Sequence, residues 1–220
     1  MTINTTYGWV NTLKYFNQSC FVSGFADGSV RIWSSLNGNL LESREFHQSD
    51  VLTIEVLGDG RIISGDEYDG LVKIHSNSSI STILTGDVTA KFLKQINNNQ
   101  VVMGFGDGCL VIFNLDDNFE SWFSHGNEIT SIDKINSIHF LTSSIGDENI
   151  YIWENGEDLT IINLGIDNFS YYAIYLKETF IATSMNDNTI RIYDFITKIN
   201  LKTFYGHTQP VIKLEFVFSL

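Results

Sequence analysis

Hydrophobic and polar residues alternate along short segments of the chain, and turn-forming residues separate these segments. Between residues 29 and 33, for example, Val30 and Ile32 fall on one face of an extended strand and Arg31 falls on the other. Pairs such as Asn37-Gly38 and Asp59-Gly60 supply the tight reversals that join antiparallel strands. No long segment shows the period of an amphipathic helix. The pattern therefore predicts an all-β chain of short antiparallel strands.

One strand pattern recurs about every forty residues, a period typical of repeat architectures. In each copy an aspartate turn is followed by an alternating strand that ends in a ring-bearing residue six positions later. The aspartates that begin these segments are Asp27, Asp69, Asp107, Asp147 and Asp187, and the rings that end them are Trp33, His75, Phe113, Trp153 and Tyr193. Apolar runs before each aspartate and after each ring supply further strands, so each repeat is predicted to contain four.

These signatures, together with His47, Ser124-His125 and Gly206-His207 at repeat starts, make the chain resemble WD-repeat β-propellers over essentially its whole length. The resemblance implies a single propeller domain over 1–220, with five complete four-stranded blades and the start of a sixth. We assign repeats to 7–46, 47–86, 87–124, 125–165 and 166–206, with a partial repeat at 207–220. Another propeller family, or a β-barrel of hairpin repeats, is the alternative.

The partial repeat leaves the closure of the ring open. His207 precedes Val211 by the same offset that separates His47 from Val51, but the period places the next turn aspartate beyond Leu220. Three interpretations follow: the chain is a fragment or truncated product of a longer propeller, it closes as a five-blade ring sealed by 207–220 and 1–6, or a partner chain completes the ring. An open blade exposes a strand edge, so we also expect self-association.

In the resembled family, a histidine, a serine or threonine, the turn aspartate and the closing ring form a hydrogen-bonded tetrad. The resemblance implies such a structural tetrad at His125, Ser143, Asp147 and Trp153, with Ser144 as the alternative hydroxyl. Serine, histidine and aspartate also make up a catalytic triad. The constellation recurs in weakened form in other repeats, however, and a catalytic site has no need to recur. We therefore predict a structural role and no catalytic residue.

Charge and composition narrow the range of partners. The 220 residues carry 26 acidic against 13 basic side chains, a net charge of −13, which opposes binding to nucleic acid or to an anionic membrane. No apolar run approaches the about 20 residues that span a bilayer. The five histidines form no ligand-like set, so we expect no metal and no cofactor. Two distant cysteines indicate a reducing compartment, the cytoplasm, with the nucleus as the alternative.

The repeated residues account for the fold and leave no active-site constellation, so we predict a non-enzymatic protein–protein interaction scaffold. The alternatives are a propeller-type enzyme with a site at the central channel, or a structural module completed by another subunit. The face formed by the repeat starts and the aspartate turns is expected to bind a protein or peptide, and its acids favour a basic segment. The predicted contact residues are Trp9, Asp50, Asp66, Tyr68, Phe105, Glu128, Asp167 and Tyr171.

Overall fold

Twenty strands form five four-stranded antiparallel sheets in the computed structural model, which describes residues 8–45, 47–68, 70–76, 79–84, 88–118, 120–154 and 157–215. Within each sheet the strands follow one another in sequence order. Each sheet is one blade of a β-propeller, as the repeats predict. The described residues contain no helix that could cross a membrane.

The strands are numbered in chain order, four to a blade, with the innermost strand first. Blades 1 and 2 comprise β1 (Val10–Asn17), β2 (Cys20–Phe25), β3 (Ser29–Ser34), β4 (Leu40–Glu45), β5 (Val51–Val56), β6 (Ile62–Asp66), β7 (Val72–His75) and β8 (Ile80–Leu84). Blade 3 comprises β9 (Ala90–Gln95), β10 (Gln100–Phe105), β11 (Cys109–Asn114) and β12 (Glu120–Ser124). Blades 4 and 5 comprise β13 (Ile129–Lys134), β14 (His139–Ser144), β15 (Asn149–Glu154), β16 (Glu157–Asn163), β17 (Ser170–Lys177), β18 (Phe180–Met185), β19 (Ile190–Asp194) and β20 (Ile199–Phe204).

The turn between the second and third strands shows how the aspartate signature folds. The Asp27 carboxylate accepts a hydrogen bond from the backbone N–H of Ser29 at 3.0 Å, which closes the turn locally. Gly28 has a φ of 79°, and a Cβ there would lie 2.1 Å from the carbonyl oxygen of His47. Glycine at this position therefore allows the chain to turn and the next repeat to approach closely.

The hydrophobic core lies between consecutive blades. We call the face of a blade that meets the preceding blade its front face and the opposite face its back face. Val22 and Val30 on the back face of blade 1 pack against Val51 and Ile54 of blade 2, and similar clusters join each later pair of blades. Successive side chains of a strand point to opposite faces of the blade. Each blade therefore packs one set of apolar side chains against the preceding blade and another set against the following blade.

Charged residues on the innermost strands connect neighbouring blades along the channel. Lys14 pairs with Glu55 at 3.0 Å and Lys94 pairs with Asp133 at 3.1 Å. Asp133 also accepts a hydrogen bond from the backbone N–H of Tyr175 in the next blade at 2.9 Å. Although burial opposes it, Asp133 and Glu55 raise the pKa of Lys94 above its ordinary value. The carboxylates of Glu55 and Asp133 therefore connect neighbouring blades.

Blade 1 has an unpacked front face. Leu13 is 60% exposed, whereas the equivalent residues Ile54, Leu93, Ile132 and Ala173 are at most 6% exposed because each is covered by the preceding blade. A ring closed by five blades would bury Leu13 in the same way. The described residues therefore form an arc of five blades with a free front face on blade 1.

The back face of blade 5 is also incompletely covered. Phe204 is 42% exposed, whereas its counterpart Ile162 in blade 4 is fully buried. Residues 207–215, predicted to begin a sixth blade, form no hydrogen-bonded strand in the structure. Burial, Asp133 and Glu215 raise the pKa of Tyr172 on β17, so the carboxylate of Glu215 lies near that innermost strand.

Candidate functional site

A buried hydrogen-bonded tetrad lies inside blade 4. The Trp153 Nε1–H donates to Thr142 Oγ1 at 2.8 Å, and that hydroxyl contacts His125 Nε2 at 2.6 Å. His125 Nδ1 contacts the Asp147 carboxylate at 3.3 Å. The carboxylate sets the direction of the hydrogen bonds, because it can only accept: the imidazole Nδ1–H donates to Asp147, and Nε2 of a neutral ring then accepts from the Thr142 hydroxyl. That hydroxyl in turn accepts from the indole N–H. The tetrad thereby joins the turn, two strands and the repeat start.

The hydroxyl of this tetrad belongs to Thr142, which corrects the prediction of Ser143 and its alternative Ser144. Ser143 points to the other side of β14, where its Oγ contacts Ser131 Oγ at 2.7 Å. Ser144 donates to the carbonyl oxygen of Asn127 at 2.9 Å. Three consecutive hydroxyl residues are indistinguishable by type, and only the strand register selects Thr142. Ser143 is buried and no hydrogen bond joins it to a histidine in the described part of the chain.

Blade 2 builds the same group with a second imidazole. Ser64 Oγ contacts both His47 Nε2 and His75 Nε2 at 2.7 Å, and His47 Nδ1 lies 3.4 Å from Asp66 Oδ2. Asp69, the expected aspartate of this repeat, lies outside the described residues, and Asp66 is next to His47. Burial lowers the pKa of His75 to about 3, and the positive fields of His47, Arg44 and Lys73 act in the same direction.

Blades 1 and 5 lack the histidine and use an arginine instead. Asp27 pairs with Arg31 at 2.7 Å, and Asp187 pairs with Arg191 in the same register of blade 5. Burial acts to raise the pKa of Asp27, but the hydrogen bonds from Arg31 and Ser29 outweigh it, so the pKa of Asp27 is lowered. Sequence reasoning missed this pairing, although the pattern Asp-x-Ser/Thr-x-Arg occurs in both repeats and could have revealed it.

Blade 3 replaces the polar group with apolar side chains. Met103 and Phe113 stand at the hydroxyl and ring positions, and both are buried. Asp107 still closes its turn by accepting a hydrogen bond from the backbone N–H of Cys109 at 2.9 Å. The blades therefore use three kinds of side-chain group at this place: the hydrogen-bonded tetrad, the aspartate–arginine pair and the apolar side chains of blade 3.

The loops that begin the blades and the turns that join second to third strands lie at one end, which we call the top surface. Trp9 is 82% exposed and Tyr68 is 74% exposed there, and Asp167 is also exposed. Three further predicted contact residues are half-buried: Asp50, Glu128 and Tyr171. The structure thus brings six of the eight predicted contact residues to the top surface in accessible or partly accessible form.

Two predicted contact residues are wrong, since Asp66 and Phe105 are buried. Both occupy the last position of the second strand, where Phe25, Ser144 and Met185 stand in the other blades, and all five of these side chains point inward. Their closeness to the turn in sequence suggested exposure. The strand, however, extends to this position before the turn begins.

The charged groups of the top surface are mostly acidic. Asp50 accepts a hydrogen bond from the Asn11 side-chain amide at 3.2 Å, and Glu128 pairs with Lys91 at 3.2 Å. Across the described ranges no three His, Cys, Asp or Glu side chains converge in a way that could hold a metal ion. The arrangement offers an acidic surface from which the aromatic rings of Trp9 and Tyr68 project.

Comparisons with known proteins agree with this architecture. Residues 1–34 match the family described as WD domain, G-beta repeat. Over 49 residues the chain is 39% identical to the COMPASS component SWD3 of Saccharomyces cerevisiae, a match that spans 22% of this chain and 16% of that protein. The crystal structure of the computationally designed Ika8 protein superposes with a TM-score of 0.80 at 23% identity, over 95% of this chain and 65% of that chain.

The similarity to the designed Ika8 protein concerns the fold. The matches to the WD-domain family and to SWD3 concern the repeat sequence. Five repeats carry the aspartate-to-ring signature, and a four-stranded blade is built around each of them. Together with the two sequence matches, these features support the resemblance of the chain to the WD-repeat family of β-propellers.

Proposed function

We propose that the chain is a non-enzymatic scaffold whose top surface binds a protein or peptide partner. The observation that carries this proposal is the exposure of two aromatic rings, Trp9 and Tyr68, at the top of neighbouring blades. Aromatic side chains supply large contact areas at low entropic cost and are enriched among residues that dominate binding energy.

The backbone that presents these rings is held by hydrogen bonds. The carbonyl oxygen of Trp9 accepts from the Ala26 N–H at 3.0 Å, and the Tyr68 N–H donates to Ser49 Oγ at 3.2 Å. Asp50, next to Ser49, is bound by Asn11 of blade 1. The two rings therefore project from a fixed frame, which reduces the entropy lost when a partner binds.

A basic segment of the partner fits the charge of this surface. Asp50 and Asp167 carry no ion pair among the described residues, and the whole chain has a net charge of −13. Complementary charge accelerates association at low salt and discriminates against acidic partners. The name of the relative SWD3, a COMPASS component, supports a role within an assembly.

A second candidate is a structural module whose terminal blades associate with another copy or another subunit. The exposed Leu13 and Phe204, at positions that are buried in other blades, favour it. We also propose that the protein resides in a reducing compartment, the cytoplasm or the nucleus, because Cys20 and Cys109 both carry free thiols.

Affinity capture with quantitative mass spectrometry tests the proposed surface. The double variant W9A/Y68A should lose the specific partners of the tagged chain, while its circular dichroism and melting temperature stay unchanged. The matched control is L36A/I196A, which removes two exposed apolar side chains outside the top surface. Loss of partners in the control but not in W9A/Y68A would show that a different surface binds them.

A further inference from the structure

A groove of about 350 Å³ opens between blades 2 and 3 at the outer rim of the propeller. Its floor is apolar and consists of Ile74 and Ile83 from blade 2 and Phe113 and Leu115 from blade 3. The exposed hydroxyl of Ser81 lies on one wall. Arg61, Thr82, Asn118 and Glu120 complete the lining, so the polar residues slightly outnumber the apolar ones. The volume lies in the range of clefts that bind ligands.

The groove exists because blade 3 has smaller side chains than blade 4 at equivalent positions. Between blades 3 and 4, the indole of Trp153 stacks on Tyr151 and packs against Phe123, with ring centroids 5.9 and 5.3 Å apart. Blade 3 has Phe113 and Val111 where blade 4 has Trp153 and Tyr151. The smaller side chains of blade 3 leave the cleft between blades 2 and 3 open.

The polar groups of the groove favour a cation. Glu120 lines it, and one oxygen of its carboxylate accepts a hydrogen bond from Trp122 Nε1 at 3.1 Å, which orients the group. Arg61 also lines the groove, but Asp59 neutralises it through an ion pair of 2.7 Å. Trp122 is exposed beside Glu120 on the same face of β12, and an indole face attracts cations.

We propose that this groove binds an extended segment of a protein partner in which an apolar side chain stands next to a lysine or arginine. The apolar side chain occupies the floor formed by Ile83 and Phe113, and the cation meets the Glu120 carboxylate and the Trp122 ring. The net charge of −13 adds a long-range attraction for such a segment. This site goes beyond the proposed function, because it uses none of the residues of the top surface.

Selection of a displayed library of random short peptides against the 220-residue protein tests the proposal. Enriched peptides should share an apolar residue next to a basic one, and they should shift the methyl resonances of Ile74 and Ile83 in NMR spectra of the protein. The change E120Q should weaken their binding about tenfold or more, because a charge-assisted contact is lost. The change S81W should abolish it, because an indole at that position fills the groove.

Two controls separate this site from the rest of the protein. The variant S43W places the same indole on an exposed position of β4 and should bind the peptides as well as the original chain. The variant W9A/Y68A should also retain binding, so failure of the proposed top surface and failure of this groove are distinguishable. Enrichment of acidic peptides, enrichment of none, or binding that E120Q and S81W leave unchanged would overturn the proposal.

Discussion

His75 occupies in blade 2 the position that Trp153 occupies in blade 4. The Nε2 of His75 lies 2.7 Å from the hydroxyl of Ser64, and the Nε1 of Trp153 lies 2.8 Å from the hydroxyl of Thr142. The imidazole thus reproduces the hydrogen bond of the indole but not its volume. A cavity of about 40 Å³ borders His75 between blades 1 and 2, with Val30 and Ile62 among its apolar walls.

Filling this cavity should stabilise the protein. The change H75W keeps a donor for Ser64 and adds apolar surface against the cavity walls, so we expect the free energy of unfolding to rise by about 1 kcal/mol. Urea unfolding at neutral pH measures the difference. The reverse change W153H should lower the free energy of unfolding by about 2 kcal/mol or more, since it opens a cavity in a packed interface. A destabilised H75W would show that the indole is too large for this site.

The same histidine should make the fold sensitive to acid. Its pKa in the folded protein is about 3, below the ordinary value of 6.5, so the unfolded chain binds a proton more readily between these values. The contribution of His75 to stability is therefore full above about pH 6.5 and falls as the pH falls toward 3, by at most about 1.4 kcal/mol per pH unit. Urea unfolding between pH 5 and 7.5 should show a shallower decline for H75W than for the original chain. Parallel declines would contradict this assignment.

Substitutions in the tetrad of blade 4 test whether its role is structural. The change T142V removes the hydroxyl that joins Trp153 to His125 and leaves two buried polar groups unpaired, so it should lower the free energy of unfolding by about 1–3 kcal/mol. The change D147A should act in the same direction. Both effects are measurable by chemical denaturation.

Ser143 should not react with a fluorophosphonate probe of serine hydrolases, because its side chain is buried and contacts Ser131 and Thr130. Incubation of the purified chain with the probe, followed by mass spectrometry, measures this. Labelling that disappears in S143A would establish a nucleophile and overturn the structural interpretation.

The repeated pattern makes the blades predictable from the sequence. Which face of the sheet a given side chain points to depends on the strand register, which the pattern does not determine. Five aspartates that recur every 38 to 42 residues identify five sheets regardless of the exact strand ends. The hydroxyl of blade 4 was assigned to Ser143 because Thr142, Ser143 and Ser144 are chemically alike, and a shift of one residue reverses the face of a strand. The closeness of Asp66 to the turn in sequence suggests exposure, but strand β6 extends to Asp66 and its side chain is buried.

The arginine pairs show a signal that was present in the sequence but needed the structure to interpret. Asp27 and Arg31 are four residues apart, as are Asp187 and Arg191, and only the bend of the turn brings each pair together. The exposure of Leu13 had no local signal, because its burial depends on whether a blade lies in front of it.

The free terminal faces predict self-association of the 220-residue chain. The front face of blade 1 at Leu13 and the back face of blade 5 at Phe204 correspond to the two sides of an interface that already occurs between each pair of consecutive blades. We therefore expect blade 5 of one copy to pack on blade 1 of another in a head-to-tail manner. Light scattering on the purified chain should show a mass that rises with concentration. The variant L13D/F204D should shift this rise to higher concentration, since it places charges in the contact, whereas L36D, an exposed position outside both faces, should not. A dilution-resistant monomer that unfolds in one cooperative transition would instead indicate that the terminal faces are covered within a single chain.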